Sequence, residues 1–108
     1  AFKDCTSLRS VTIPATVTEL GENWYQNGIF AGCTNLTTAT INSKATNIPE
    51  GMFWNCSKLT NVTFSDSFKT MSDSVFEECT SLVSITLPSN LTNIGNSTFL
   101  RLYKINNS

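Results

Sequence analysis

One short phrase recurs along this chain of 108 residues. Phe-x-x-Cys stands at Phe2–Cys5, Phe30–Cys33, Phe53–Cys56 and Phe76–Cys79, with the cysteines 28, 23 and 23 residues apart. Phe99 adds another step of 23, although Leu102 stands where a cysteine is due. The apolar positions that follow keep register. Leu8, Leu36, Leu59 and Leu82 come three after each Cys. Val11, Ala39, Val62 and Ile85 follow, and then Ile13, Ile41, Phe64 and Leu87. Val17, Ala45, Phe68 and Leu91 come next, with Leu20, Ile48, Met71 and Ile94 three residues on. A turn residue closes each phrase: Gly21, Pro49, Ser72 or Gly95. The 28-residue step contains five extra residues within Glu22–Ile29. A unit of this length cannot bury its apolar row alone, and stacked copies bury it for one another. The reading is a solenoid of four coils, 2–29, 30–52, 53–75 and 76–98, with a partial fifth at 99–108.

Between Ser10 and Pro14 polar and apolar residues alternate, the period of a strand with Val11 and Ile13 inward. Its copies at 38–42, 61–65 and 84–88 are expected to form a parallel sheet at about 4.8 Å per coil. A second short extended piece is expected at Val17–Leu20 and its copies. The Phe-x-x-Cys stretch, with apolar residues three apart, suits a single helical turn on the opposite side. Composition agrees with strands and turns: 16 Thr, 13 Ser and 12 Asn accompany only 14% charged residues.

"LRSVTI" (Leu8–Ile13) resembles the Leu-x-x-Leu-x-Leu core of leucine-rich repeats. The longer phrase from Phe2 to Gly21 resembles the BspA-like class of that family. The resemblance runs from Phe2 to Phe99. Departures are Ala39, Phe68, Met71, the insertion, and Ile29, Met52, Val75 and Thr98 where the family commonly has Ala. The resemblance implies a β-rich leucine-rich-repeat solenoid of right-handed coils, a parallel sheet of short strands on one face and short helical turns opposite. It also implies a cell-surface or secreted protein that recognises or adheres to a protein or glycan on host or neighbouring cells.

The four cysteines are expected to be structural core thiols. Zinc sites want cysteine pairs two to four residues apart, whereas Cys5, Cys33, Cys56 and Cys79 each occupy the same slot of a separate coil. Stacking holds equivalent Cβ atoms about 5 Å apart, and a disulfide wants about 3.8 Å. Free cysteine packs as a small hydrophobe.

No histidine is present, which removes Ser-His-Asp, Cys-His and most zinc-hydrolase chemistry. No Ser-x-x-Lys pattern or phosphate-cradling glycine loop stands out, and Glu77–Glu78 reads as a solvated pair. No catalytic residue, metal site or cofactor is expected. With seven basic and eight acidic residues, the basic ones unclustered, no nucleic-acid partner is expected. No apolar run reaches the length of a membrane span, so this segment is not expected to insert.

Binding surfaces remain. The outward strand positions make an unbroken threonine column, Thr12, Thr40, Thr63 and Thr86, beside Ser10, Thr38, Asn61 and Ser84. Thr is a good exposed strand residue in any sheet. The column is also the kind of extended face with which repeat proteins bind. Trp24 and Tyr25 in the insertion either anchor a ligand or fold back over the first coils. Asn-x-Ser/Thr occurs six times, at Asn35, Asn55, Asn61, Asn90, Asn96 and Asn106, where composition predicts about three. Such triplets can carry glycans in a secreted eukaryotic protein.

Two functions follow: a recognition or adhesion scaffold, or a structural spacer that presents another domain and binds nothing itself. The chain opens inside a phrase without an initiator Met, and a longer parent protein is expected. Phe2 begins a coil with nothing stacked before it, so end-to-end self-association is expected otherwise.

Overall fold

The structure, a computed structural model, describes residues 4–18, 20 and 28–96, and the backbone of 106–107. In chain order the strands are β1 (Ser10–Ile13), β2 (Thr38–Ile41), β3 (Asn47–Ile48), β4 (Asn61–Phe64), β5 (Thr70–Met71), β6 (Ser84–Thr86), β7 (Asn93–Ile94) and β8 (Asn106–Asn107). They form two parallel sheets, ordered β1-β2-β4-β6-β8 and β3-β5-β7. Each coil therefore contributes one strand to the first sheet, and among the described residues the second, third and fourth coils each add a two-residue strand to the second; of the piece expected at Val17–Leu20, residues 17, 18 and 20 are described and are not strand.

The register is the one the repeat dictates. Val11 pairs with Ala39, Ala39 with Val62 and Val62 with Ile85. The five-residue insertion is absorbed before Phe30, because Ser10 still faces Thr38. Met71 stands beside Ile48 and Ile94 in the second sheet. Only β8 departs: Ser84 pairs with Asn106, one residue short of the 23-residue step.

Inward residues of neighbouring coils fuse into one core. The rings of Phe30, Phe53 and Phe76 stack at 5.5 and 5.6 Å, with planes 13° and 3° apart. Two departures from the aliphatic pattern pack against this column. Phe64 meets Phe53 and Phe76 edge-on at 6.4 and 6.1 Å, and Phe68 meets Phe64 edge-on at 5.5 Å. The outer coils are less covered. Cys5, Leu8, Val11, Ile13 and Val17 are partly buried where their second-coil equivalents Cys33, Leu36, Ala39, Ile41 and Ala45 are buried. Ile94 is 44% exposed at the other end.

The side opposite the first sheet differs in detail from the expected helical turns. No helix occurs among the described residues. The Phe-x-x-Cys stretch is a run of tight turns that alternate their hydrogen bonds. The N–H groups of Met52, Trp54 and Cys56 donate three residues back, to Pro49, Gly51 and Phe53. Those of Gly51, Phe53 and Asn55 donate sideways to the next turn of the stack, at Asp73, Val75 and Glu77. The residue before each cysteine explains why a helix cannot form. Asp4, Gly32, Asn55 and Glu78 all have left-handed φ, at 61°, 76°, 59° and 67°. One such residue breaks a right-handed helix and turns its neighbours' N–H groups toward the adjoining coil.

Candidate functional site

The threonine column is in register across four coils: Thr12 faces Thr40, Thr40 faces Thr63 and Thr63 faces Thr86. Strand alternation puts Val11, Ala39, Val62 and Ile85 inward and so turns these threonines outward. Thr12, Thr63 and Thr86 are exposed, while Thr40 is half-buried. In the adjoining column Ser10, Thr38 and Asn61 are exposed and Ser84 is half-buried. The face holds no charged side chain at these eight positions.

Other hydroxyls of the chain serve the fold. Thr37 donates to the Arg9 carbonyl at 3.0 Å, Thr60 to Thr37 at 3.1 Å and Thr92 to Lys69 at 3.1 Å. Ser65 and Ser67 both donate to the Ser43 carbonyl, at 2.6 and 3.0 Å. Each of these bonds ties one coil to the preceding one. The side chains of Thr12, Thr40, Thr63 and Thr86 make no such bond among the described residues. Trp24 and Tyr25 lie outside the described residues.

The cysteines occupy the opposite side of the core. All four are free thiols; Cys33, Cys56 and Cys79 are buried and Cys5 is partly so. Cys56 donates its S–H to the Phe30 carbonyl and Cys79 to that of Phe53, each at 3.1 Å. The thiols therefore reach the preceding coil's backbone rather than one another. Burial pushes the Cys79 thiol up to about 12 and raises Cys33 and Cys56 as well. The thiolate is the reactive form, so these three should be inert at pH 8. A thiol reagent is expected to label Cys5 readily in the native protein and all four only after denaturation. Rapid native labelling of Cys56 or Cys79 would show that the coils do not stack as described.

One surface feature had no place in the sequence reading. A depression of about 280 Å³ lies over the second sheet, lined by Asn47, Glu50, Thr70, Ser72, Asp73 and Asn93 among others. Thr70 and Ser72 donate to the Asn47 side-chain carbonyl at 2.6 and 3.2 Å, and Asp73 accepts the Asn96 N–H at 2.7 Å. The signal was present in the recurring polar column Asn47, Thr70 and Asn93, one residue before each inward Ile48, Met71 and Ile94. Glu77 and Glu78 are both half-buried, and Glu78 holds one of the left-handed positions. No group of three or more Cys, Asp or Glu among the described residues could hold a metal ion.

Residues 1–106 match the model of the BspA type leucine rich repeat region, in six copies. The chain belongs to the BspA-type leucine-rich repeat family. A crystal structure of a leucine-rich repeat protein from Bacteroides ovatus ATCC 8483 superposes on it with a TM-score of 0.57 at 31% sequence identity. That match covers 90% of this chain and 33% of the Bacteroides chain, so this chain spans about a third of its length. No curated protein matches. BspA-type repeats are generally non-enzymatic scaffolds, typically protein-binding, and often belong to surface or secreted proteins. No helix among the described residues is long and apolar enough to cross a membrane.

Proposed function

We propose that this BspA-type repeat is a non-enzymatic recognition scaffold of a surface or secreted protein, and that it captures a protein or glycan on the first sheet. The observation that carries the reading is the contrast between two sets of hydroxyls. Those of Thr37, Thr60 and Thr92 bond the neighbouring coil, whereas the sheet column Thr12, Thr40, Thr63 and Thr86 is aligned, outward and unused by the fold. A row of small hydroxyls at one strand spacing offers donors and acceptors to a peptide backbone or a sugar. Its lack of charge disfavours strongly ionic ligands.

The experiment is the double variant Thr40→Glu, Thr63→Glu, made without glycosylation and with its fold checked by thiol protection. Both changes sit on the outward face, so the coils should survive. Unmatched carboxylates buried under a ligand cost about 1–3 kcal/mol or more each, about tenfold or more in affinity. Capture on glycan arrays and immobilised extracellular-matrix proteins should fall accordingly. Equal capture by the folded double variant, or none by the parent protein, would favour a spacer that presents another domain.

A further inference from the structure

The structure separates the six Asn-x-Ser/Thr triplets. Asn35 is half-buried, and its side-chain amide donates to the Thr6 carbonyl at 2.6 Å, tying the second coil to the first. Asn55 is half-buried inside the turn ladder, with φ at 59° and its N–H donating to Glu77. Asn90 is exposed, but its amide donates to the Asp66 carbonyl at 3.2 Å and the hydroxyl of Thr92 is taken by Lys69. The triplets at Asn96 and Asn106 extend into residues outside those described. Asn61 stands apart. It lies on β4 two residues before Thr63, so both side chains leave the sheet on one face, and both are exposed. Neither side chain bonds any other described residue.

We propose that Asn61 is a modification site for an N-linked oligosaccharide, an inference that rests on the exported half of the functional reading above. The co-reactant is a lipid-pyrophosphate-linked oligosaccharide. The Asn61 Nδ2 forms a bond to C1 of the first sugar and the bond from C1 to the pyrophosphate oxygen breaks. The lipid pyrophosphate leaves with that electron pair, and one amide proton passes to a base on the transferase. The acceptor triplet needs the Thr63 hydroxyl two residues on. The product fits this fold because an outward side chain on a flat strand loses no contact when a glycan is added. At Asn35 the same glycan would have to displace the bond to the Thr6 carbonyl of the first coil, and at Asn55 it would start from a half-buried position. Asn61 also faces Thr38 and Ser84 across the sheet.

The test is secretion of the chain from a eukaryotic cell line, followed by enzymatic release of N-glycans in heavy-oxygen water, which marks each formerly occupied Asn as labelled Asp. Asn61 should be labelled, and Asn35 and Asn55 should not. Asn61→Gln and Thr63→Val should each remove that glycan, and Thr63→Ser should retain it. An unlabelled Asn61 in secreted, thiol-protected protein overturns the proposal, as does equal labelling at Asn55. The capture assay uses protein made without glycosylation, so its outcome stands or falls independently of Asn61 occupancy.

Discussion

Phe53→Ala should be the most damaging single truncation among the described residues, lowering stability by about 3–5 kcal/mol. Phe53 is fully buried, and its ring is stacked on Phe30 and on Phe76, with Phe64 against its edge. Truncation removes the apolar transfer energy of a whole ring and leaves a cavity across two inter-coil interfaces. It also removes aromatic contacts worth about 0.5–1.5 kcal/mol per pair beyond their area. A solenoid holds each coil mainly through its two neighbours, so a hole in a middle coil weakens both at once. Domains of this size have about 5–15 kcal/mol in all, and each kcal/mol moves the midpoint by about 4–8 °C. A Tm lower by about 12 °C or more is expected in thermal unfolding followed by circular dichroism. Val83→Ala, at a position 48% exposed, should stay within about 0.5 kcal/mol of the parent protein. A loss under about 1 kcal/mol for Phe53→Ala would mean that the three rings do not form one column.

Most of this architecture was legible because a repeat converts one-dimensional spacing into three-dimensional register. Once Val11, Ala39, Val62 and Ile85 are aligned as letters, a parallel sheet is the arrangement that buries them together, and the strand pairs follow that alignment residue by residue. The opposite side was harder to read. Apolar residues three apart suit a helical turn, and they equally suit a chain of tight turns that sends alternate N–H groups sideways. The deciding information lay in the residue before each cysteine. Gly32, Asn55 and Asp4 are residue types that tolerate left-handed φ. Glu78 is not such a type, and it conceals the pattern in the last copy. The outward face was legible as geometry only. Strand alternation shows which threonines point out, but which hydroxyls the fold itself consumes depends on contacts between coils that spacing does not reveal. Thr37 and Thr60 look as free in the sequence as Thr40 and Thr63, and only the first pair bonds the neighbouring backbone.

A second position that spacing did not single out is the column two residues before each Phe: Gly28, Gly51 and Ser74. Gly28→Ala should lower stability by a net of about 2 kcal/mol. Its φ is not in the left-handed region, unlike that of Gly51 at 65°, so an alanine could adopt the backbone without strain. The obstacle is space. A Cβ on Gly28 would meet the Gly51 carbonyl oxygen and carbon and the Met52 Cα, all at 2.5 Å or less. All three are backbone atoms of the next coil, and no side chain can rotate away to make room. The turns at 28–32 and 51–54 would have to separate. Separation would stretch the bonds from Phe30 N–H to Met52 and from Gly32 N–H to Trp54, now 2.9 and 2.8 Å, and would pull apart the Phe30–Phe53 stack. Overpacking costs about 1–3 kcal/mol, and contacts this short with rigid atoms belong at the upper end. Restricting the unfolded chain returns about 0.4–1 kcal/mol, which leaves the net figure. Tm should fall by about 8–16 °C. Hydrogen exchange would locate the damage: the Phe30 and Gly32 amides should exchange faster, while the β4–β6 ladder keeps its protection. Parent-like exchange at both amides, with an unchanged Tm, would show that the turns at 28–32 and 51–54 are not in contact through this glycine.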